Sequence, residues 1–341
     1  MTTGASPNER AYRAPHRRFL VLFGLTLASY GCASTATLAP AFEALSQRRI
    51  IVDFTTGVVT PAEIVVQDLA SVSHVYVGEF HTSALHHDVQ LEVATRLHGV
   101  RPIVIGVEWL PAAADSVLAL WSAGSLGEDE LLERLEWKKV WGHDFSNYRE
   151  IFGWARSQGV RIVGLNPPRG LAEAVGRHGV AGVPLSLRPA LPPLDSGNDP
   201  HRLHFRDQLL QHGRAHGHGF DATKLERYYQ AQLVRDETMA RHVRALQDAE
   251  PERLVLVFAG LGHIDRGHGV PLRASRSLEA EPRDFRIVMP IENGDLETLA
   301  GDFGATSYPA RRADWAWEAR PTGTVVARAR QTSLGHRADL R

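Results

Sequence analysis

From about Glu63 onward, short apolar runs alternate with longer amphipathic stretches, the pattern of repeated βαβ units. Five runs, over 75–79, 102–108, 160–166, 253–259 and 285–290, are apolar almost throughout and rich in Val and Ile, which predicts strands buried on both faces. Between them, helical periodicity predicts helices over 84–98, 111–122, 128–137 and 145–158, with Gly99 and Gly159 closing the first and last. A short helix to about His178 and a long one over 221–248 complete the set. Residues 180–200 are rich in Pro and Gly and predict a loop. The expected fold is one α/β domain over 61–320, with a mainly parallel central sheet and helices on both faces. A linker and N-terminal segment over 32–60 precedes it, and a flexible tail over 321–341, poor in large apolar residues, follows it.

Polar, chemically capable residues stand where the first four strands end: Glu79 with His81, Glu108, Asn166 and His263. Two of these endings share one form, Gly78-Glu79-Phe80-His81 and Gly260-Leu261-Gly262-His263. In a parallel sheet the C-terminal strand ends share one rim, where ligands bind. Glu79, His81, Glu108 and His263 are therefore the candidate catalytic and metal-holding residues, expected within a divalent metal's reach of one another. Such a metal would supply an activated water; without it, a Glu–His pairing supports general acid–base chemistry. Packing or helix capping is the competing explanation for each. A charged carboxylate ending a buried strand needs a partner under either explanation.

Other residues are candidates for lining the same rim. His86 and His87 open the helix behind His81, and Asn166 and Arg169 flank a rigid Pro-Pro turn, where Arg169 suits a carboxylate. Tyr228, Gln232 and Arg235 fall on one stripe of the long helix, with Asp236 or Glu237 placed to pair nearby. Arg235 is expected beside the two glutamates, offsetting their charge. The histidines at 201, 204, 212, 216 and 218 fit no metal-ligand spacing well and are expected on a mobile loop.

The 341 residues suffice for one large α/β domain, and the net charge of −1, with no basic stripe, gives no reason to expect nucleic acid. The 17 histidines lean toward metal or haem chemistry, although a GC-rich genome also raises His alongside Arg, Ala and Gly. A single cysteine excludes an intramolecular disulfide, and its position is informative. Arg13, His16, Arg17 and Arg18 precede an apolar stretch ending in Ser29-Tyr30-Gly31-Cys32, the layout of a secretory signal over 1–31. At 13 residues, 19–31 is too short to span a bilayer, which takes roughly 20. Cysteine directly after glycine resembles a bacterial lipobox, so Cys32 is expected to carry a lipid anchor to a membrane. Ala33 in place of Asp favours an outer-membrane lipoprotein facing the periplasm, ordinary secretion and a cytosolic apolar N-terminus being the alternatives.

No P-loop, Gly-x-Gly-x-x-Gly after a strand, Gly-x-Ser-x-Gly elbow or His-Glu-x-x-His is present in the sequence. What is present, from about Ile64 to Pro290, resembles the ChaN-like haem-binding uptake lipoproteins of the Tiki/TraB/ChaN/erythromycin-esterase superfamily. The resemblance rests on the two Gly-x-x-His stretches, His86-His87, Glu108-Trp109 and Leu165-Asn166-Pro167-Pro168-Arg169. It rests also on Ala231-Gln232 followed by Arg235-Asp236-Glu237-Thr238-Met239-Ala240. It implies an α/β fold and a role in binding haem or acquiring iron at the cell envelope. It also implies a second possibility, a metal-dependent protease or esterase using both Gly-x-x-His motifs and Glu108. Tyr or His would suit haem iron, and Tyr228, Tyr229 and several His are on offer. The expected cofactor is thus haem or a divalent metal ion, the expected partners a small ligand and a membrane, and a homodimer is compatible with the sequence.

Overall fold

The computed structural model describes residues 50–215, 219–275, 284–292 and 295–319. The expected signal, Cys32, the tail over 321–341, His216, His218 and the side chain of His212 lie outside the described residues. Seven strands form one sheet: β1 (Ile51–Asp53), β2 (His74–Glu79), β3 (Ile103–Pro111), β4 (Ile162–Asn166), β5 (Leu254–Gly260), β6 (Phe285–Ile291) and β7 (Trp315–Glu318). Their order is β1-β7-β6-β2-β5-β3-β4, and every pairing is parallel except β1 with β7. Ile51–Asp53 falls in the stretch expected to be a linker and N-terminal segment.

Helices fill the crossovers that parallel strands require. They are α1 (Ala62–Ala70), α2 (Ala84–His98), α3 (Asp115–Ser122), α4 (Glu128–Arg134), α5 (Trp137–Val140), α6 (Arg149–Ser157) and α7 (Leu171–His178). α8 (Asp199–Ala215), α9 (Ala222–Ala249), α10 (Leu261–Ile264) and α11 (Val270–Ala274) follow, and α12 (Asp295–Leu299) lies between β6 and β7. The expected helix over 128–137 breaks into α4 and α5 because Glu136 takes a left-handed conformation, with φ 48°. Among the described residues no helix is long and apolar enough to cross a membrane.

Side chains alternate across a strand with period 2, and two cores follow. Val75 and Val77 of β2, Ile103, Ile105, Val107 and Trp109 of β3, and Leu254, Leu256 and Phe258 of β5 pack under α1, α2, α3 and α6. The intervening residues Tyr76, Val104, Val255, Val257 and Ala259 pack under α9 and α11 on the opposite face. Helices on both faces of a mainly parallel sheet are what the near-continuous apolar runs require.

Candidate functional site

Sheet order builds the rim. β5 lies between β2 and β3, so Glu79 pairs across from Gly260 while Glu108 comes in from the other side. Strand parity then separates the two carboxylates. Glu79 continues the Val75–Val77 series and turns to the α2 face; Glu108 continues the Val104 series and turns to the α9 face. Both are buried.

Glu79 is surrounded by donors. His81 Nδ1 lies 2.7 Å from Oε1, Gln90 Nε2 donates to Oε2 at 2.7 Å, and Trp109 Nε1 reaches both oxygens at 3.1 and 3.2 Å. His87 Nε2 stands 3.4 Å from Oε2. Burial alone would raise the pKa of Glu79, but hydrogen bonds and charge from His81 and His87 bring it down to about 2. Gln90 and His87 arrive together from one face of α2, whose start is fixed by Ser83 accepting from the His86 amide.

On the other face, Glu108 Oε2 accepts the Gly260 amide at 2.7 Å and Oε1 lies 3.2 Å from His263 Nε2. His263 Nδ1 in turn donates to Asp236 of α9 at 2.6 Å. Gln232, one turn earlier, donates to the Gly262 carbonyl at 3.0 Å and lies 3.0 Å from His263 Nδ1. Burial pushes the pKa of His263 down, and Glu108 and Asp236 outweigh it, raising it to about 10. At neutral pH this imidazole is a cation clamped between two carboxylates. Burial likewise pushes Glu108 up, and His263 and His81 outweigh that, holding it well below the usual carboxylate range.

His81 joins the halves. A Cβ at Gly260 would lie 2.8 Å from His81 Cε1 and 3.4 Å from Glu108 Oε2, so the absent side chain is what lets the imidazole close over the rim. His81 keeps 30% of its side chain exposed, whereas Glu79 keeps none. Its carbonyl accepts from Tyr148 Oη at 3.0 Å, and its ring meets Trp141 at 4.6 Å and His143 at 5.2 Å between centroids. Beside His143 opens a cavity of about 1010 Å³, with Leu132, Trp137 and Phe145 among its walls. A smaller cavity of about 210 Å³ is lined by Trp141, Asn166, Arg169 and Arg235.

The structure corrects several expectations. No group of three His, Cys, Asp or Glu among the described residues stands in metal-holding geometry. The physical reason is parity: Glu79 and Glu108 face opposite sides of the sheet, and their oxygens are occupied by Trp109, Gln90, His263 and the Gly260 amide. Arg235 does not offset the glutamates; it lies 3.6 Å from Glu173, and its neighbour Asp236 points to the rim instead. Arg169 is exposed, its nearest acid Glu136 at 3.9 Å. Tyr228 packs on Phe220 and lines neither cavity beside the rim. His86 is sealed in the turn, its Nδ1 accepting the Phe80 amide at 2.9 Å. His201 and His204 sit on α8 rather than on a loop, His201 being buried with Nδ1 3.3 Å from Tyr229 Oη.

Gln90, Tyr148, Trp141 and His143 carry no signal in strand endings, because helix turns and loops bring them in from elsewhere, whereas Trp109 stands beside Glu108 in the sequence. Asp236 was legible only as a residue placed to pair near the long helix's stripe.

Opposed shifts give a stability profile. His263, raised to about 10, contributes stability that is complete below its ordinary 6.5 and lost as pH rises through 10. His74, His201 and His268, lowered by burial to about 4, contribute stability complete above 6.5 and lost as pH falls through 4. Glu79, lowered to about 2 from its ordinary 4.5, adds a loss between those two values as pH falls. The melting temperature measured by circular dichroism should therefore peak near pH 6.5 and fall on both sides, more steeply toward acid. A flat profile from pH 4 to 10 would contradict these assignments.

No curated protein matches the sequence. Among solved structures, ChaN of Campylobacter jejuni with cofacially bound haem is 17% identical, with a TM-score of 0.61, covering 81% of this chain and 98% of that one. An erythromycin esterase, EreC, in its open conformation is 13% identical, with a TM-score of 0.45 and coverages of 77% and 95%. A Bacillus cereus protein is 10% identical, with a TM-score of 0.43 and coverages of 84% and 97%. The C. jejuni likeness is one of fold. Residues 65–274, more than half the chain, match the family described as haem-binding uptake, Tiki superfamily, ChaN, and the chain belongs to that family.

Proposed function

We propose that this chain is a cell-envelope lipoprotein that binds haem, or takes part in acquiring iron, at the Glu/His rim. The observation that carries it is the cavity of about 1010 Å³ beside His143, one ring away from His81. Haem asks for an apolar seat, a nitrogen or phenolate ligand and cations for its propionates. Leu132, Trp137 and Phe145, an imidazole, and Lys138 meet that demand in a lining that also carries Lys139 and Arg149, each paired with a glutamate, and Glu133, Glu136 and Asp144. When bound, haem would supply an iron centre; the chain's part is to seat the ring, exclude water and hold the carboxylates. Family membership and the cofacial haem of C. jejuni ChaN support the same reading. Hemin titrated into the purified chain should give a saturable, shifted Soret band; a spectrum unchanged from free hemin contradicts the proposal.

Attachment through Cys32 belongs to the same proposal, resting on the signal-like stretch before it. Cys32→Ala should move the protein from the membrane to the soluble fraction, and an unaltered membrane pool contradicts the anchor.

A hydrolase is the second reading, favoured by the two carboxylate–imidazole couples. Glu79 fixes the His81 tautomer, leaving the partly open imidazole to accept a proton from an attacking water. Beside it, Asp236 and Glu108 clamp the His263 imidazolium, a trio of net negative charge. This reading expects hydrolysis of a simple aryl ester to disappear in His81→Ala. Equal turnover in that variant contradicts it.

A further inference from the structure

The candidate haem ligands are narrowed by what each side chain already does. Tyr229 is buried with its hydroxyl on His201, and both His263 nitrogens face carboxylates. His86 and His87 are sealed in the interior, 1% and 2% exposed. Tyr228 lines neither of the cavities beside the rim.

His143 stands apart from all of these. It is half-buried, it lines the large cavity, and among the described residues its ring nitrogens make no hydrogen bond. Its position is nonetheless fixed. The His143 carbonyl accepts Trp137 Nε1 at 2.7 Å, and the ring sits 5.1 Å from Trp141 and 5.2 Å from His81. Gly142, at φ 85°, makes the turn that delivers it.

We infer that His143 is the axial iron ligand of a haem seated in this cavity, with Lys138 the principal cation serving its propionates. The inference rests on the haem-binding reading above and goes beyond it by naming the ligand. Burial and the neighbouring His81 push the pKa of His143 down. Of the cations in the lining, Lys139 is paired with Glu136 and Arg149 with Glu128. Lys138 is exposed and makes no ion pair among the described residues.

Hemin titrated into the full chain separates the outcomes. His143→Ala should lose the wild-type Soret position and bind roughly tenfold or more weakly, a change of about 1.4 kcal/mol. Free imidazole added to that variant should restore the wild-type band. Lys138→Glu should keep the band position and weaken binding severalfold, while Tyr228→Phe should match wild type in both. His143→Gln, which suits a half-buried position without ligating iron, serves if the alanine variant fails to fold. Wild-type spectrum and affinity in a folded His143 variant, or a band moved by Tyr228→Phe, overturns the inference and leaves the haem-binding reading standing. Wild-type protein that binds no hemin overturns both.

Discussion

Gly164→Ala is expected to destabilise the chain by about 3 kcal/mol or more, far beyond the usual cost of one added methyl. A Cβ there would lie 2.2 Å from the Pro111 carbonyl oxygen, 2.5 Å from its carbon and 2.8 Å from the Leu110 oxygen. All three are backbone atoms, so no rotamer change relieves the contact. The crowding comes from β3, whose register against β4 shifts between Val107 and Pro111. That irregularity spans Glu108 and Trp109, so the substitution should disturb the rim as well as the fold. Urea denaturation would read the loss. Gly153→Ala is the control: it lies exposed in α6 with nothing within 4 Å of its added Cβ, and should be stabilising by about 0.5–1 kcal/mol. Equal effects from the two would contradict the packing assigned to β3.

Glu79→Ala is expected to be comparably severe, at about 3–5 kcal/mol, because it removes the acceptor shared by several buried donors. His87, Gln90 and Trp109 would be left facing an apolar gap, and His81 would lose the partner that fixes its ring. With unfolding entropy near 2 cal/mol/K per residue, the melting temperature should fall by roughly 5–8 °C. Glu79→Gln preserves volume while removing charge, so it should also lower the pKa of His81, which Glu79 helps to raise against the effect of burial. A His81 titration followed by NMR that is the same in wild type and the Gln variant would contradict the coupling.

The core of the fold is legible in the sequence because β2 to β6 are buried on both faces and read as apolar runs. β1 and β7 are not, since three and four residues are too few to show a pattern and Trp315-Ala316-Trp317-Glu318 mixes charge with aromatics. α8 was masked by composition: the His-, Arg- and Gly-rich stretch reads as a loop, yet His201 packs against Tyr229 and lies 3.7 Å from Asp236. At the site, the structure places the two Gly-x-x-His stretches and Glu108 together at the strand ends. What they cannot convey is parity. Whether Glu79 and Glu108 share a face depends on the register of β2 and β3 against β5, which no local pattern encodes. The same holds for Asp236 and Arg235, adjacent on α9 and therefore about 100° apart around it. His143 lies in the gap between the helices expected over 128–137 and 145–158, where Gly142 makes the turn and no motif marks the residue.

The rim as the ligand site is tested most directly by crystals of the full chain grown with hemin, with the iron located by its anomalous scattering. The account predicts the iron at the C-terminal rim, in the cavity beside His143 and next to His81. Iron instead at the opposite edge of the sheet, in the polar cavity around Asp68, Arg286 and Tyr308, would contradict it.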